Sequence, residues 1–196
     1  MSSLSYEYVW WPASEAYLKD QRIADGVFAM LKTKTPHAIY GGIGLEKPYA
    51  RCIIAWDNTE AHNDFIRSSD YPVLGGRLVP SFADPSNPGM GMFHAHYDSD
   101  PSALFDAPFT EFVIATVKTG VSVEEARVVV EGMAKSVAGE DGVVGVSVGR
   151  VEEAPERFVV LVGRQSHQAG SSQEYQALTK GTVEVEFEWA TFAKKQ

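Results

Sequence analysis

The stretch TEFVIATVKTGVSVEEARVVVEGMAKSVAGEDGVVGVSV, residues 110–148, contains a strand, a helix and a second strand in succession. Residues 110–117 are mostly β-branched or aromatic, which favours a strand. Ser122 and Glu125 have the spacing of a capping box, and apolar residues then recur every three or four positions. Gly139 stands where a helix commonly ends in a left-handed residue. The closing alternation of Val with Gly and Ser predicts the second strand.

The rest of this half continues the pattern. A continuous apolar run over 157–162 predicts a third strand, and residues 171–178 predict a second helix. A fourth strand is predicted over 183–189, where apolar residues alternate with three glutamates, Glu184, Glu186 and Glu188. The resulting order is β-α-β-β-α-β.

The first half predicts the same order, with strands over 6–11, 39–45, 50–56 and 92–97 and helices over 23–31 and from residue 59 onward. Corresponding elements lie roughly 105 residues apart, which indicates a tandem duplication. The polar turn at 98–102 is rich in residues that break helices and strands. It divides the chain into two predicted repeats, 1–102 and 103–196.

A β-α-β-β-α-β unit is the ferredoxin-like motif, an antiparallel sheet with both helices on one face. The strand over 50–56 is apolar on both sides, so its second face must also be covered. Two repeats would cover each other if their sheets packed face to face. The sequence therefore predicts an α+β protein, in which two ferredoxin-like repeats form a fused α+β barrel within one chain.

Composition excludes several classes of protein. Asp and Glu number 26 against 17 Lys and Arg, and the net charge of −9 disfavours binding to nucleic acid or to anionic membranes. The single cysteine excludes an internal disulfide framework and Cys-rich metal sites. Residues 1–12 lack the basic and apolar regions of a signal peptide, and no apolar run is long enough to span a membrane. These features predict a cytoplasmic location.

The stretch AWDNTEAH, Ala55–His62, resembles the W-x-S-x-E-A-H junction between strand and helix in the dimeric α+β-barrel proteins. These include antibiotic-biosynthesis-monooxygenase-like and EthD-like proteins, and Ser68, Tyr71 and Leu74 fit the same resemblance. The equivalent stretch of the second half, GRQSH at 163–167, lacks it. The resemblance implies a barrel that handles small molecules. Its relatives include cofactor-free monooxygenases, polyketide cyclases, dehalogenating, decarboxylating and haem-degrading enzymes, and fold alone does not choose among them.

Two histidines on the predicted closing strand of the first repeat are the strongest candidates for catalytic residues. His94 and His96 are two residues apart, so both imidazoles project from one face of the strand, roughly 7 Å apart. Phe93, Ala95 and Tyr97 occupy the other face and are expected to pack on the helices, which would turn the histidines into the barrel. Imidazole suits proton transfer at an enolisable carbonyl or phenol. The resemblance assigns that role to a closing-strand histidine in relatives that cyclise polyketides. The alternative to a catalytic role is that both histidines lie at a solvent-exposed edge of the strand.

Other roles for histidine remain open at this stage. His62 begins a predicted helix and could act as a second acid–base group, or it could be a half-buried structural residue. His94 and His96 could hold a metal ion with one of the C-terminal glutamates, although those glutamates also suit a solvated strand face. In a haem-binding barrel, an inward histidine would ligate iron.

Aromatic residues are concentrated in the first half. Tyr8 and Trp10 share one face of the first strand, and Trp56 precedes the family-like helix. With Tyr97 they would line a pocket for a flat apolar or aromatic ligand, although each could equally be core. Residues 71–91 are rich in Pro and Gly and are expected to form a long loop, either a pocket wall or a surface wrap.

The sequence therefore favours a small-molecule enzyme without a bound organic cofactor or metal, a cyclase, lyase or monooxygenase. It would act on an apolar aromatic or polyketide-like carbonyl compound by His-assisted proton transfer, leading to cyclisation, cleavage or oxygenation. The alternatives are a non-catalytic ligand-binding or stress-response barrel and a haem-binding barrel. A further homodimer is left open. The predicted catalytic residues are His94, His96 and His62, and the predicted substrate contacts are Tyr8, Trp10, Trp56 and Tyr97.

Overall fold

A computed structural model describes residues 4–167, 175–177 and 179–195. Its strands are β1 (Ser5–Pro12), β2 (Ile39–Gly44), β3 (Tyr49–Trp56), β4 (Gly91–Tyr97), β5 (Phe109–Val117), β6 (Val143–Val151), β7 (Arg157–Arg164) and β8 (Val183–Lys194). Its helices are α1 (Glu15–Lys19), α2 (Asp25–Leu31), α3 (Thr59–Arg67), α4 (Tyr71–Leu78), α5 (Ser102–Phe105) and α6 (Val123–Ala138). Short 3-10 turns occupy Gln21–Ala24 and Val79–Ser81.

The strands are hydrogen-bonded in the order β1-β3-β2-β8-β5-β7-β6-β4, which closes into a barrel within one chain. The predicted fold class, an α+β barrel, is confirmed. The origin of the barrel by tandem duplication, with repeats 1–102 and 103–196, stays a prediction. Across the described residues, no helix is long and apolar enough to cross a membrane.

Contacts between Cα atoms divide the chain into two compact units. The first unit runs up to His94 and includes the C-terminal residues from Ala193 onward. The second unit is Ala95–Phe192. The division therefore falls inside β4 and near the end of β8.

In the first unit, β3 pairs antiparallel with both β1 and β2, and Ser5 lies opposite Trp56. The helices cover one face of this sheet over a core of large apolar side chains, among them Trp11, Tyr17, Phe28, Ile54 and Phe65. Asn58 begins α3, because its side-chain oxygen accepts a hydrogen bond from the Ala61 N–H at 2.9 Å.

In the second unit, β5 lies between β7 and β8, and β6 pairs with β7. Ser122 caps α6 as its spacing predicts, accepting from the Glu125 N–H at 3.2 Å. The prediction of a left-handed Gly139 is wrong: this residue has φ −88° and donates its N–H to the Ser136 carbonyl. The chain makes one more turn before β6, and Gly142 is the residue with positive φ, at 79°.

Residues 71–91 do not form one long loop, because α4 and a 3-10 turn fill their first part. Proline is tolerated in the first turn of a helix, where its missing N–H has no intrahelical partner, and Pro72 stands there. The helix predicted over 171–178 lies largely outside the described residues, but its residues 175–177 are helical.

Candidate functional site

A cavity of about 260 Å³ lies in the first unit, between the helix-covered face of the sheet and helices α2, α3 and α4. Its walls are mainly apolar and aromatic, and include Trp11, Phe28, Ile54, Phe65, Phe82 and Met92. Polar atoms reach it from Glu7, Cys52, His62 and Tyr71. No Lys or Arg is among the described residues that line it. Among the described residues of the wall, Glu7 is therefore the only carboxylic acid.

Glu7 is a buried carboxylate, 5 % exposed, on the cavity face of β1. Trp56, at the end of β3, donates its Nε1–H to Glu7 Oε2 at 2.8 Å. His62, in the first turns of α3, places Nε2 at 3.4 Å from Glu7 Oε1 and stacks its ring on Trp56 at 5.0 Å. Neither of these two neighbours carries a fixed charge, so they orient the carboxylate without permanently neutralising it.

His94 continues this chain of contacts behind His62. His62 Nδ1 and His94 Nε2 are 2.8 Å apart, and both side chains are almost fully buried. One of these two nitrogens donates and the other accepts, according to the tautomers of the two rings. Glu7, His62 and His94 are therefore linked in series by contacts between titratable side chains.

Two further ionisable groups near Glu7, Tyr71 and Cys52, have raised pKa values. Burial, followed by the negative charge of Glu7, raises the pKa of Tyr71. Burial, followed by the same charge, raises the pKa of the Cys52 thiol well above its ordinary value. Both groups line the cavity and stay neutral at pH 7. Lys195 opposes the shift of the Cys52 pKa but does not outweigh burial and Glu7.

The structure separates the two histidines that the sequence places together. His94 lies under α3 at 2 % exposure, whereas the His96 side chain is 43 % exposed and meets Glu152 Oε2 through Nε2 at 2.7 Å. The expectation that both face one pocket is wrong, because His94 is buried against His62 of α3 whereas His96 is exposed beside Glu152. From Ala95 onward β4 pairs with β6 in the second unit.

The aromatic residues of β1 that the sequence proposes as substrate contacts lie on the face of the strand opposite the cavity. Glu7 lines the cavity, so the alternating residues Tyr8 and Trp10 project from the opposite face of β1. There Phe93 stacks on Tyr8 at 4.9 Å and contacts Trp10 at 5.7 Å. The expectation that Phe93 packs on the helices therefore fails too, and His94 takes the helix-facing position.

Two other predicted substrate contacts have different surroundings. Trp56 is buried and holds Glu7, and it does not appear in the cavity wall. Tyr97 is buried in the second unit opposite Gly149, where a Cβ atom would lie 2.6 Å from the tyrosine ring. The catalytic and substrate-binding roles of all these residues stay predictions.

Sequence reasoning missed Glu7, which lies within a strand that otherwise resembles core. Comparing the two halves of the sequence would have pointed to it. Glu7-Tyr8-Val9 and Glu111-Phe112-Val113 occupy the third to fifth positions of β1 and β5. Glu111 is buried as well. A buried glutamate at the same strand position of both halves indicates that each half has a polar site there.

Glu111 belongs to a different cluster in the second unit. Arg164, at the end of β7, donates from Nε to Glu111 Oε2 at 3.0 Å and from Nη1 to Glu140 Oε2 at 2.9 Å. Tyr175 donates its hydroxyl to Glu111 at 3.0 Å. Burial lowers the pKa of Arg164, but bonds to Glu140, Tyr175 and Glu111 outweigh it and raise that pKa overall. This cluster is a buried ion pair.

The cavity does not suit the haem-binding alternative. The cavity wall described above offers no cation to a haem propionate, and His62 uses both ring nitrogens on Glu7 and His94. The described residues do not support the alternative of a metal site either. Within the described residues, no three His, Cys, Asp or Glu side chains are placed to hold a metal ion.

No protein-family model matches the sequence, and no curated protein matches it. Solved structures share its fold. A protein of Fusobacterium nucleatum subsp. nucleatum, provisionally named a monooxygenase, has a TM-score of 0.62 at 9 % identity, over 98 % of this chain and 93 % of that one. A provisionally named monooxygenase of Lactobacillus acidophilus gives 0.58 at 13 %, over 98 % and 94 %. An anthrone oxidase-like protein gives 0.64 at 10 %, over 98 % and 94 %.

Proposed function

We propose that this protein is a small-molecule enzyme in which Glu7 removes a proton from an uncharged, apolar substrate bound in the first-unit cavity. The observation that carries this proposal is the buried Glu7 carboxylate, which faces an apolar cavity and is backed by His62 and His94. Glu7 replaces the histidines as the group next to substrate, because both nitrogens of His62 already meet Glu7 and His94.

The surroundings of Glu7 suit a general base. Burial disfavours the charged form of a carboxylate, so a proton from substrate relieves the cost of holding the charge in the protein. The Trp56 N–H and His62 keep the carboxylate oriented. A proton path from Glu7 through His62 to His94 requires the His62 tautomer with an unprotonated Nε2 facing Glu7 and a proton on Nδ1 directed at His94 Nε2.

The cavity also indicates the substrate. Its aromatic and aliphatic walls favour a flat apolar molecule, and the lack of Lys and Arg among the lining residues disfavours carboxylates and phosphates. Its volume limits the substrate to a small one. An enolisable aromatic ketone or a phenol meets these conditions, since each has one weakly acidic proton on an otherwise apolar body.

Oxygenation is the favoured outcome of that proton removal. A deprotonated enol is electron-rich and can react with dioxygen, whereas cyclisation or cleavage needs further groups on the substrate. The names of the three similar structures, two monooxygenases and an anthrone oxidase-like protein, support this choice. Cyclase and lyase activities remain the alternatives within the same proton chemistry.

Deuterium exchange tests the first step separately from the rest. Enolisable aryl ketones, anthrone among them, are incubated anaerobically in D₂O with the enzyme, and loss of the acidic C–H signal is followed by NMR. We expect wild type to accelerate exchange and Glu7→Gln to lose about 10²–10⁴-fold of that acceleration. Equal exchange by wild type and Glu7→Gln would contradict the role of Glu7.

Two further measurements separate the alternatives. Oxygen uptake in air by the substrates that exchange supports an oxygenase. Saturable binding to wild type and Glu7→Gln, with neither exchange nor oxygen uptake, would identify a ligand-binding protein instead. Glu111→Gln is the matched control for Glu7→Gln, because it alters the buried glutamate of the second unit.

A further inference from the structure

The two units place their buried glutamates at the same position of the strand ladder. In the first unit Ser5 lies opposite Trp56, and Glu7 follows two residues later. In the second unit Phe109 lies opposite Arg164, and Glu111 follows two residues later. Trp56 and Arg164 are each the last residue of their strand. Trp56 and Arg164 therefore occupy equivalent positions beside equivalent carboxylates.

Both strand-end residues donate to the carboxylate, but they differ in charge. Trp56 Nε1 donates to Glu7 Oε2 at 2.8 Å, and Arg164 Nε donates to Glu111 Oε2 at 3.0 Å. An indole N–H orients a carboxylate without cancelling its charge, whereas a guanidinium is always protonated and cancels it. A helical residue makes a second contact with the carboxylate in each unit. In the first unit His62 Nε2 lies 3.4 Å from Glu7 Oε1, and in the second unit the Tyr175 hydroxyl donates to Glu111 Oε2 at 3.0 Å.

We infer that Trp56 is a positioning residue that keeps Glu7 oriented yet reactive, and that an arginine at this position converts the same carboxylate into a structural ion pair, as Arg164 does for Glu111. This inference rests on the proposed role of Glu7 and deepens it. The second unit thereby carries a version of the site in which Arg164 neutralises the carboxylate.

Titration of Glu7 in two variants tests this role. The protein is labelled with glutamate carrying ¹³C in the side-chain carboxyl group, and the Glu7 resonance is identified by its loss in Glu7→Gln. Trp56→Phe keeps an aromatic ring but removes the indole N–H that stabilises the ionised Glu7 carboxylate. The midpoint of the Glu7 titration should therefore rise by about one pH unit. Trp56→Arg adds a cation, so the midpoint should fall by about 1–3 units. A purely structural role for Trp56 predicts no such opposite shifts.

Arg164→Met provides the matched control in the second unit. It leaves Glu111 buried without its cation, so the melting temperature should fall by about 10 °C while the Glu7 midpoint stays unchanged. Trp56→Phe should cause a smaller loss of stability. If Trp56→Arg does not fold, Trp56→Phe alone decides the result.

An unchanged Glu7 midpoint in Trp56→Phe would overturn the positioning role, whatever happens to activity. The proposed function fails by a different result, namely the absence of Glu7-dependent deuterium exchange in wild type. Opposite shifts of the Glu7 midpoint would still support the positioning role in that case. The NMR titration needs no substrate, so the two outcomes are independent.

Discussion

His94 and His96 project from the same side of β4, but only His94 has a buried partner. His94 Nε2 lies 2.8 Å from His62 Nδ1, whereas His96 is exposed beside Glu152. Side-chain direction is set locally by the strand, and chemical environment is set by which helix lies above it. The contribution of each histidine to proton transfer should therefore differ sharply.

Alanine at each position tests this difference. We expect His94→Ala to lower kcat for deuterium exchange by about 10²-fold with little change in KM, because His94 supports His62 without lining the cavity. His96→Ala should stay within about threefold of wild type. Equal losses at both positions would contradict the proton path through His62.

Cys52 gives a second prediction at the level of a single residue. Its pKa is raised in the folded protein by burial and then by Glu7, whereas an unfolded thiol ionises near pH 8.5. Above about pH 8.5 the unfolded state loses this proton and the folded state keeps it, so stability should fall by up to about 1.4 kcal/mol per pH unit. Urea unfolding at pH 7.5 and 9.5 measures this slope. Cys52→Ala should flatten it, and an equally steep loss in that variant would rule out the thiol as its source.

Helix α4 is the least buried of the three helices that enclose the cavity. None of its residues is buried, and it contains Gly75 and Gly76, at which an added Cβ would meet nothing within 4 Å. Neither glycine has positive φ. Packing and backbone geometry do not require these glycines, so their main effect is to weaken the helix.

Replacing Gly76 with alanine should stabilise α4 by about 0.5–1 kcal/mol and slow amide hydrogen exchange in that helix by about twofold to fivefold. The urea midpoint of the whole protein should change little, because α4 opens without global unfolding. Gly132→Ala is the matched control, since Gly132 also has open space but lies in α6, which buries five residues. That variant should raise the urea midpoint. The reverse pattern would show that α4 unfolds only with the rest of the chain.

The elements also show how far the sequence predicts this fold. Caps at Asn58 and Ser122 are local hydrogen bonds, so sequence spacing located the starts of α3 and α6. Helix α4 was missed because its Pro and Gly residues resemble a loop, although proline fits the first turn and the glycines are exposed. Glu7 was missed because its donor Trp56 is 49 residues away. Burial of a glutamate is explained only when β3 and α3 are assembled around it.

At the scale of the whole molecule, both ends of the chain contribute to the first unit. Lys195 donates its backbone N–H to the Ile39 carbonyl at 2.8 Å, and its ammonium lies 5.1 Å from the Phe28 ring centroid. Within the second unit, the end of β4 pairs with β6, with Tyr97 opposite Gly149. A cut at the predicted boundary, 98–102, therefore separates the first unit from its last strand residues and the second unit from β4.

Fragments 1–98 and 99–196 should accordingly fail to fold alone. Each would expose sheet edges and apolar surface that the intact chain covers, so we expect aggregation or a non-cooperative thermal transition for each fragment. Co-expression of the two fragments should restore a soluble complex with a cooperative transition, because every strand pairing is then available again. Circular dichroism and analytical ultracentrifugation measure both properties. Two soluble monomeric fragments with cooperative melting would show that each half folds independently, and β4 and the C-terminal residues would then be dispensable for the units they join.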